Sequence, residues 1–208
     1  QMNSNQQASI VGLGWNLNAG AVITRNNQKN SNNTDDTFSI TIGNISHDLI
    51  PIEKTSEYTA YTTKTANFDV IRRYMPNCST WERYGYWVLW DKTGNIYRFE
   101  KTAIFDQTAR DCGIINNTRS HAYAWYLSSV EDPSGLITKY TYYRRNYAEI
   151  IITQEIYLED IVYPDGHTRI HFITEEGRTD YLWSWYGAKI PNNERSLTQI
   201  QVVYDPSI

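Results

Sequence analysis

Four-residue turn motifs recur along this chain, and each one separates two segments whose apolar residues alternate with polar ones. The clear motifs are Asp132-Pro-Ser-Gly135 and Tyr163-Pro-Asp-Gly166, and Asp91-Lys-Thr-Gly94 is a fainter copy. Asp and Pro favour the first half of a tight turn, and Gly adopts the positive φ that closes it. Alternation with a period of two is the pattern of a half-buried strand. The sequence therefore predicts a series of β-hairpins.

The segments that lead into turns share a pair of spaced apolar residues. The pairs are Leu127 with Val130, Leu158 with Ile161, and Leu197 with Ile200. Repeated units of this kind stack edge to edge, and each buries its face on its neighbours. An internal repeat is one interpretation, and a meander that reuses the same kind of turn is the other.

Composition favours strands throughout. The 208 residues include 17 Tyr and 7 Trp, which are common in strands, and no long segment has an apolar period of 3.6 residues. We predict an all-β chain, an antiparallel array of hairpins or meanders that is sandwich-like or part of a β-shell, with little helix. Residues 67–75 are predicted as a strand or a brief helix, and residues 106–120 as a loop with room for one helical turn. The other predicted strands are 37–45, 49–52, 57–63, two within 81–98, 122–131, 136–144, 148–163, 168–174, 181–185 and 196–204.

Charge and hydropathy argue against several classes of function. The formal net charge is −4, whereas nucleic-acid binders and proteins that adhere to anionic membranes usually carry a basic surplus. The longest uninterrupted apolar run, residues 122–127, is too short to span a bilayer. We expect no nucleic-acid partner and no membrane span.

The domain organisation is predicted to be simple. Residues 1–7 form a disordered tail, and residues 8–208 form a single β-rich segment with a candidate sub-boundary in the loop 106–120. The chain opens without an initiator Met, and we interpret it as a processed or excised piece of a longer protein.

Several segments, taken in order, carry a family resemblance. The opening segment, residues 8–25, contains Gly12-Leu-Gly-Trp15 and ends in Thr24-Arg25. The later matches are 36–40 with 49–51, 61–64 with 68–71, the hairpin 87–99, and the hairpin 125–135 followed by Tyr140-Thr-Tyr142. Together they resemble the Rhs/YD-repeat family, in particular the related N-terminal region of the SpvB-like and Tc toxin B-component shell proteins.

The resemblance implies a large secreted or surface-located bacterial protein. In that family, β-hairpin repeats spiral into a hollow shell that encloses a C-terminal toxin or effector. This chain would be an early segment of the shell, or a plug near its start. Its partners would then be the remainder of its own chain and the enclosed toxin or effector. The Tyr-Asp dipeptide of the repeats occurs here at Tyr204-Asp205.

Residue types that often carry catalysis are not arranged for it. Adjacent carboxylates such as Glu159-Asp160 point to opposite faces of a strand, so they do not form a glycosidase pair by themselves. His167 and His171 are separated by about 13 Å along a strand, too far for both to ligate one zinc ion. We expect no enzymatic activity, no cofactor and no metal. A metal site built from residues distant in sequence is the alternative.

Aromatic residues supply the candidate binding surface. By alternation, Tyr181, Trp183 and Trp185 share one strand face, which would suit a sugar ring or a partner surface. The alternative is that the aromatic rings fill a core or line a shell, since large aromatics mostly supply buried area. The full set of candidates is Tyr181, Trp183, Trp185, Tyr186, Trp87 and Trp90.

Two further features have more than one interpretation. Cys78 and Cys112 form a disulfide if the compartment is oxidising, or remain two buried thiols. The pairs Arg72-Arg73 and Arg144-Arg145 are interpreted as solvated strand edges.

The sequence favours a structural role in a secreted, toxin-enclosing β-shell. The alternative is an extracellular module that binds carbohydrate or a surface protein through exposed Trp and Tyr. The first hypothesis predicts an exposed sheet edge in this chain. The second predicts a closed sandwich or barrel with a solvated aromatic groove.

Overall fold

The computed structural model describes residues 17, 19–26, 36–43, 45–64, 70–74, 84–105, 114–115, 118–119, 121–147, 153–177, 182–185, 189–192 and 195–206. These residues form strands and turns, with no helix among them, so the all-β prediction is confirmed. No segment of this described part is a helix long and apolar enough to cross a membrane. The strands are β1 (Ala21–Asn26), β2 (Thr37–Ile42), β3 (Ile45–Lys54), β4 (Tyr58–Thr63), β5 (Val70–Tyr74), β6 (Tyr86–Trp90), β7 (Ile96–Phe105), β8 (Ile114–Ile115), β9 (Thr118–Arg119), β10 (His121–Glu131), β11 (Ile137–Tyr147), β12 (Thr153–Val162), β13 (Thr168–Glu175), β14 (Leu182–Trp185), β15 (Lys189–Asn192) and β16 (Ser196–Tyr204).

Eight strands close into an antiparallel barrel. Strands β1 to β7 pair in sequence order, β7 pairs with β10, and β10 pairs back with β1. The closing contact places Val22 opposite Tyr126 and Thr24 opposite Ala124. Closure leaves none of these eight strands as a free lateral edge of the barrel.

A four-stranded extension leaves the barrel at β10. One edge of β10 pairs with β7 from His121 to Glu131. The other edge pairs first with β1, at residues 124–126, and then with β11, at residues 129–131. This fork starts the extension, which continues in the order β11-β12-β13-β16.

Aromatic and aliphatic side chains fill the barrel. The rings of Phe38, Trp87 and Trp125 meet in edge-to-face contacts, with centroids 5.0 Å apart for Phe38 and Trp87 and 5.9 Å apart for Trp87 and Trp125. The indole Nε1 of Trp125 donates a hydrogen bond to the carbonyl oxygen of Gly85 at 3.1 Å. Edge-to-face rings are the arrangement expected of a packed aromatic core.

The start of the extension packs against the outer surface of the barrel. Ile156 of β12 is buried against Ala103 and Ala124 of the barrel, with Tyr126 and Tyr142 packed beside them. Tyr142 also donates a hydrogen bond to the carbonyl oxygen of Leu127 at 2.7 Å. Leu127 lies between the parts of β10 that pair with β1 and with β11, so this bond satisfies a backbone group at the fork.

Most sequence-predicted strands are present, and two ambiguous segments are resolved. Residues 196–204 form β16 as predicted, and the segment 67–75 contains a strand, Val70–Tyr74, rather than a helix. Within 106–120 the described residues form a small antiparallel pair, β8 with β9, so the suggested helical turn is not found in the described part of this segment. The division into a tail and a single segment remains a prediction.

Candidate functional site

The turns of three hairpins share a common hydrogen-bonding scheme. In each, the glycine N–H donates to a carbonyl three residues earlier, as Gly94 does to Asp91 at 3.1 Å and Gly135 does to Asp132 at 2.9 Å. The side chain of Asp132 accepts from the N–H groups of Ser134 and Leu136 at 2.8 and 3.0 Å. Carboxylates that accept backbone N–H bonds in this way fix the turn locally.

Asp91 is the most heavily hydrogen-bonded of the turn carboxylates. Its oxygens accept bonds from Thr93 at 2.8 Å, from Asn95 at 3.0 Å and from the Tyr97 hydroxyl at 3.0 Å. Partial desolvation acts to raise the pKa of Asp91, but the bonds from Thr93, Asn95 and Tyr97 outweigh it and hold the pKa well below its ordinary value. The carboxylate form is therefore part of the folded turn.

In the third turn the carbonyl group and the accepting carboxylate come from two different residues, whereas a single aspartate supplies both in the first two turns. Tyr163 supplies the carbonyl that Gly166 bonds, and Asp165, inside the turn, accepts from the N–H groups of His167 and Thr168. Hydrogen bonds from Thr168 lower the pKa of Asp165 from its ordinary value. Similar turn sequences are therefore closed in two ways, by an aspartate at the first turn position or by an aspartate at the third.

The outer strands of the extension present an apolar face. Register places Tyr140, Ile161, Ile170 and Val202 in one row across β11, β12, β13 and β16. Tyr140 packs against the core of the barrel, whereas Val202 is 77% exposed. The apolar row therefore continues beyond the part of the extension that the barrel covers.

Strand β16 combines that face with an open edge. It pairs with β13 from Thr168 opposite Tyr204 to Glu175 opposite Ser196, and no other described strand pairs with it. Its nine residues, 196–204, carry no charge and no proline, and Ile200 and Tyr204 are 51% and 66% exposed. Natural edge strands are usually protected by charge, proline or a covering element, and β16 has neither charge nor proline. We call β16 and the exposed apolar residues 200, 202 and 204 the β16 surface.

The opposite face of the extension carries a cluster of polar side chains around Asp160. Asp160 lies 2.8 Å from His171 Nδ1 and 3.9 Å from Arg169 Nε. The hydroxyl of Thr141 donates to Asp160 at 3.4 Å. His171 lies on β13, as the strand interpretation predicts, whereas His167 belongs to the turn just before the strand. The Nδ1 of His167 is 3.2 Å from the carbonyl oxygen of Asp205.

One end of the barrel interior contains arginines. Arg25 and Asp36 are nearly inaccessible, at 3% and 4% exposure, and their Nε and Oδ2 atoms are 3.6 Å apart. Arg73 lies 4.9 Å from the centre of the Phe38 ring and 5.4 Å from that of Trp125. These contacts are cation–π interactions of planar guanidinium groups.

The prediction that Arg72 and Arg73 form a solvated strand edge is therefore wrong. Strand β5 has a partner on each side, β4 and β6, and both arginines are half-buried. Arg72 lies 4.5 Å from the centre of the Tyr58 ring. The alternation Ile71, Arg73 was a usable signal, since it places Arg73 on the same inner face as buried Ile71.

The six aromatic candidates do not form one surface in the described part of the chain. Trp87 is 0% exposed and belongs to the barrel core, so its assignment to a ligand surface is corrected, because a ring enclosed on all sides offers no face to a ligand. Trp90 is half-buried, and the centre of its ring lies 5.4 Å from the guanidinium carbon of Arg72. Trp183 and Trp185 lie on the predicted strand, now β14, opposite Pro191 and Lys189 of β15, and their binding role remains a prediction.

Four remaining candidates lie outside the described residues. They are Tyr181, Tyr186, Cys78 and Cys112. The pairing of the two cysteines stays a prediction.

The β16 surface was only partly foreseen from the sequence. An exposed edge was expected from the family resemblance, but which strand would form it was not. The usable signal was the run from Ser196 to Tyr204, nine uncharged residues with strong strand preference.

Comparison with known proteins gives a structural match without a sequence match. No protein-family model matches the chain, and no curated protein sequence matches it significantly. The N-terminal domain of effector protein SpvB from Salmonella typhimurium strain LT2 is similar, with a TM-score of 0.70 and 16% identity over 97% of this chain and 80% of that chain.

Tc toxin structures are also similar. The crystal structure of TcdB2-TccC3 matches with a TM-score of 0.68 and 15% identity, over 97% of this chain and 12% of that chain. The Tc holotoxin pore of Photorhabdus luminescens matches with a TM-score of 0.64 and 15% identity, over 99% of this chain and 12% of that chain. The chain therefore shares its fold with most of the SpvB N-terminal domain and with a short part of two much longer Tc toxin chains.

Proposed function

We propose that this chain is a structural segment of a secreted Rhs/YD-repeat-like protein, and that it helps to form or plug a hollow shell around a C-terminal toxin or effector. The proposed role is mechanical, without catalysis. The observation that carries the proposal is the β16 surface, an uncharged strand edge continuous with an exposed apolar face.

The architecture supports this role because the barrel is closed whereas the extension ends in an unpaired strand edge. The barrel closes on itself and needs no partner for its strands. The extension grows from one barrel strand and ends in an open edge, the arrangement that lets further strands be added in the same direction. A closed barrel joined to a sheet with an open edge is suited to starting a larger β assembly.

The proteins of similar fold support the proposed association with a toxin or effector. One is a domain of an effector protein and the others are toxin complexes. On this proposal the chain lies outside the cytoplasm of the producing cell or on its surface, and its partners are the rest of a longer chain and an enclosed toxin.

The experiment is to purify the native protein from its source with an antibody against this chain, measure its mass and image it by electron microscopy. We expect a chain several times heavier than 24.2 kDa and a hollow particle. A mature product near that mass, or a particle without an internal cavity, would overturn the proposal and favour a free-standing binding module.

A further inference from the structure

A large groove lies at the fork between the barrel and the extension. It is bounded on one side by β7 and β10 and on the other by β11, and its volume is about 600 Å³. That volume is within the range of roughly 300–1,000 Å³ typical of ligand sites. The groove is separate from the β16 surface, because β12 and β13 lie between β11 and β16.

Cationic side chains dominate the groove. Its charged lining residues are Arg98, Lys101, Lys139, Arg144 and Glu100. Arg98 is 3.9 Å from Glu131, and Glu100 accepts a hydrogen bond from Ser128 at 3.2 Å. In the described part of the chain no ion pair involves Lys101, Lys139 or Arg144, and all three are exposed. The groove is thus a positive region on a chain whose net charge is −4.

The cationic residues surround an open strand edge. β11 pairs with β10 only from Ile137 to Lys139, whereas its other edge pairs with β12 from Lys139 to Tyr147. From Tyr140 to Arg144 the edge of β11 on the groove side has no described strand partner. These five residues span about 15 Å, and alternate residues direct their N–H and C=O groups toward the groove.

We propose that this groove binds an extended acidic polypeptide segment, which adds as a strand to the free edge of β11. Backbone hydrogen bonds along residues 140–144 supply the strand pairing, as in other cases of strand addition. Lys101, Lys139 and Arg144 select glutamate- or aspartate-rich segments through charge complementarity. A phosphate or a sulfated sugar satisfies the charges but not the strand edge, which is why a peptide is favoured. This proposal is independent of the proposed role of the chain in a toxin-enclosing shell.

The probe for the test is a seven-residue peptide of alternating Glu and Val, titrated into the whole chain by calorimetry. We expect measurable binding that weakens as ionic strength rises. Lys139→Glu with Arg144→Glu is expected to weaken it by about tenfold or more, through like-charge repulsion. The matched control is Lys54→Glu with Lys92→Glu, which makes the same charge change at two exposed residues outside the groove and should leave binding unchanged.

Two further probes separate strand addition from simple anion binding. A peptide of identical sequence with alternate backbone nitrogens methylated keeps its charge but loses hydrogen bonds along one edge, so it should bind much more weakly. A sulfated disaccharide should compete poorly. Equal binding of the methylated peptide, effective competition by the disaccharide, or no effect of the double charge reversal would each overturn the proposal.

A wild-type measurement covers the case in which the charge-reversed protein does not fold. A water-soluble carbodiimide couples peptide carboxylates to nearby lysine amines, and mass spectrometry identifies the modified lysines. Coupling concentrated at Lys101 and Lys139 supports the proposal. Equal coupling at Lys54 and Lys92 overturns it.

Discussion

At the scale of single residues, the turn carboxylates connect sequence motif to stability. Asp91 accepts hydrogen bonds from three residues of its own hairpin, and these bonds favour its charged form. Its pKa in the folded protein therefore lies below the ordinary value of 3.8. A carboxyl group with a lowered folded pKa stabilises the protein above its unfolded pKa, and that contribution is lost as the pH falls through the folded pKa.

Asp91→Ala tests this linkage. We expect the variant to be less stable than wild type at pH 6, and the difference in free energy of unfolding to shrink as the pH falls from about 4 toward 2. Urea unfolding at several pH values measures it. The control is Lys92→Ala in the same turn, whose difference from wild type should not change over this range. If the free energies of unfolding of Asp91→Ala and wild type differ as much at pH 2.5 as at pH 6, the proposed role is contradicted.

Buried charge is what local pattern predicts least well at this scale. Arg25 lies in a segment whose glycines and alternating apolar residues gave no sign of a cation inside a barrel. Its environment depends on Asp36 and on the Phe38 and Trp125 rings, and Trp125 is a hundred positions away. Residue type and spacing alone do not reveal such a contact.

At the scale of elements, hairpins are the most predictable feature of this chain. Asp132-Pro-Ser-Gly135 specifies its turn by itself, because the aspartate and the glycine satisfy and close it locally. The backbone φ of Gly135 is 82°, in the left-handed region that residues with a Cβ avoid. The turn of the neighbouring hairpin lies beside it, since a Cβ added to Gly94 would be 3.3 Å from Pro133 Cγ.

Gly135→Ala should destabilise the protein by about 1–2 kcal/mol, the cost of placing a Cβ in the left-handed region. No atom lies within 4 Å of the added Cβ, so backbone strain is the whole effect. Gly20→Ala is the matched control, because it also has no neighbour within 4 Å and its φ is not positive. It should leave stability unchanged or raise it slightly. Equal effects of the two substitutions in chemical denaturation would refute the strain argument.

The free edge of β16 makes a separate prediction about association. We expect the isolated chain to self-associate with rising concentration, because an uncharged edge with exposed Ile200 and Val202 can pair with a second copy. Val202→Lys should reduce that association strongly, because it places a charge at the edge. Analytical ultracentrifugation measures it.

Ile52→Lys is the control for the β16 variant. Ile52 is 66% exposed but lies on the barrel strand β3, in the irregular part of its pairing with β4 and away from the β16 surface. The substitution should leave self-association as in wild type. A wild-type chain that stays monomeric at all concentrations, or equal effects of the two lysine substitutions, would count against the β16 surface.

At the scale of the whole molecule, the sequence did not predict how the strands close. Alternation and turns indicate which residues form strands and which strands are hairpin neighbours. The contact between β1 and β10 joins segments about a hundred residues apart, and nothing in the local pattern of Val22 or Tyr126 encodes that pairing. Alternation, turn motifs and composition predict the all-β class, and the order of strands came from the structure.

The whole molecule also combines features that had been assigned to competing hypotheses. A closed barrel was expected of a free-standing binding module, and an exposed sheet edge was expected of a shell segment. The chain has both. Trp87, one of the proposed ligand aromatics, is in the barrel core, whereas the open edge and its apolar face remain available for further packing. The balance of these features favours the structural role.

The most direct test of the central claim is amide hydrogen exchange of residues 196–204 in two preparations. One is the isolated chain, and the other is the native protein purified from its source. If further β-structure covers the β16 surface, amides directed to the open edge exchange rapidly in the isolated chain and are protected by orders of magnitude in the native protein. The barrel strand β6 serves as the internal reference and should exchange alike in both. Equally rapid exchange of β16 in the two preparations would contradict the claim that this chain is built into a larger β-shell.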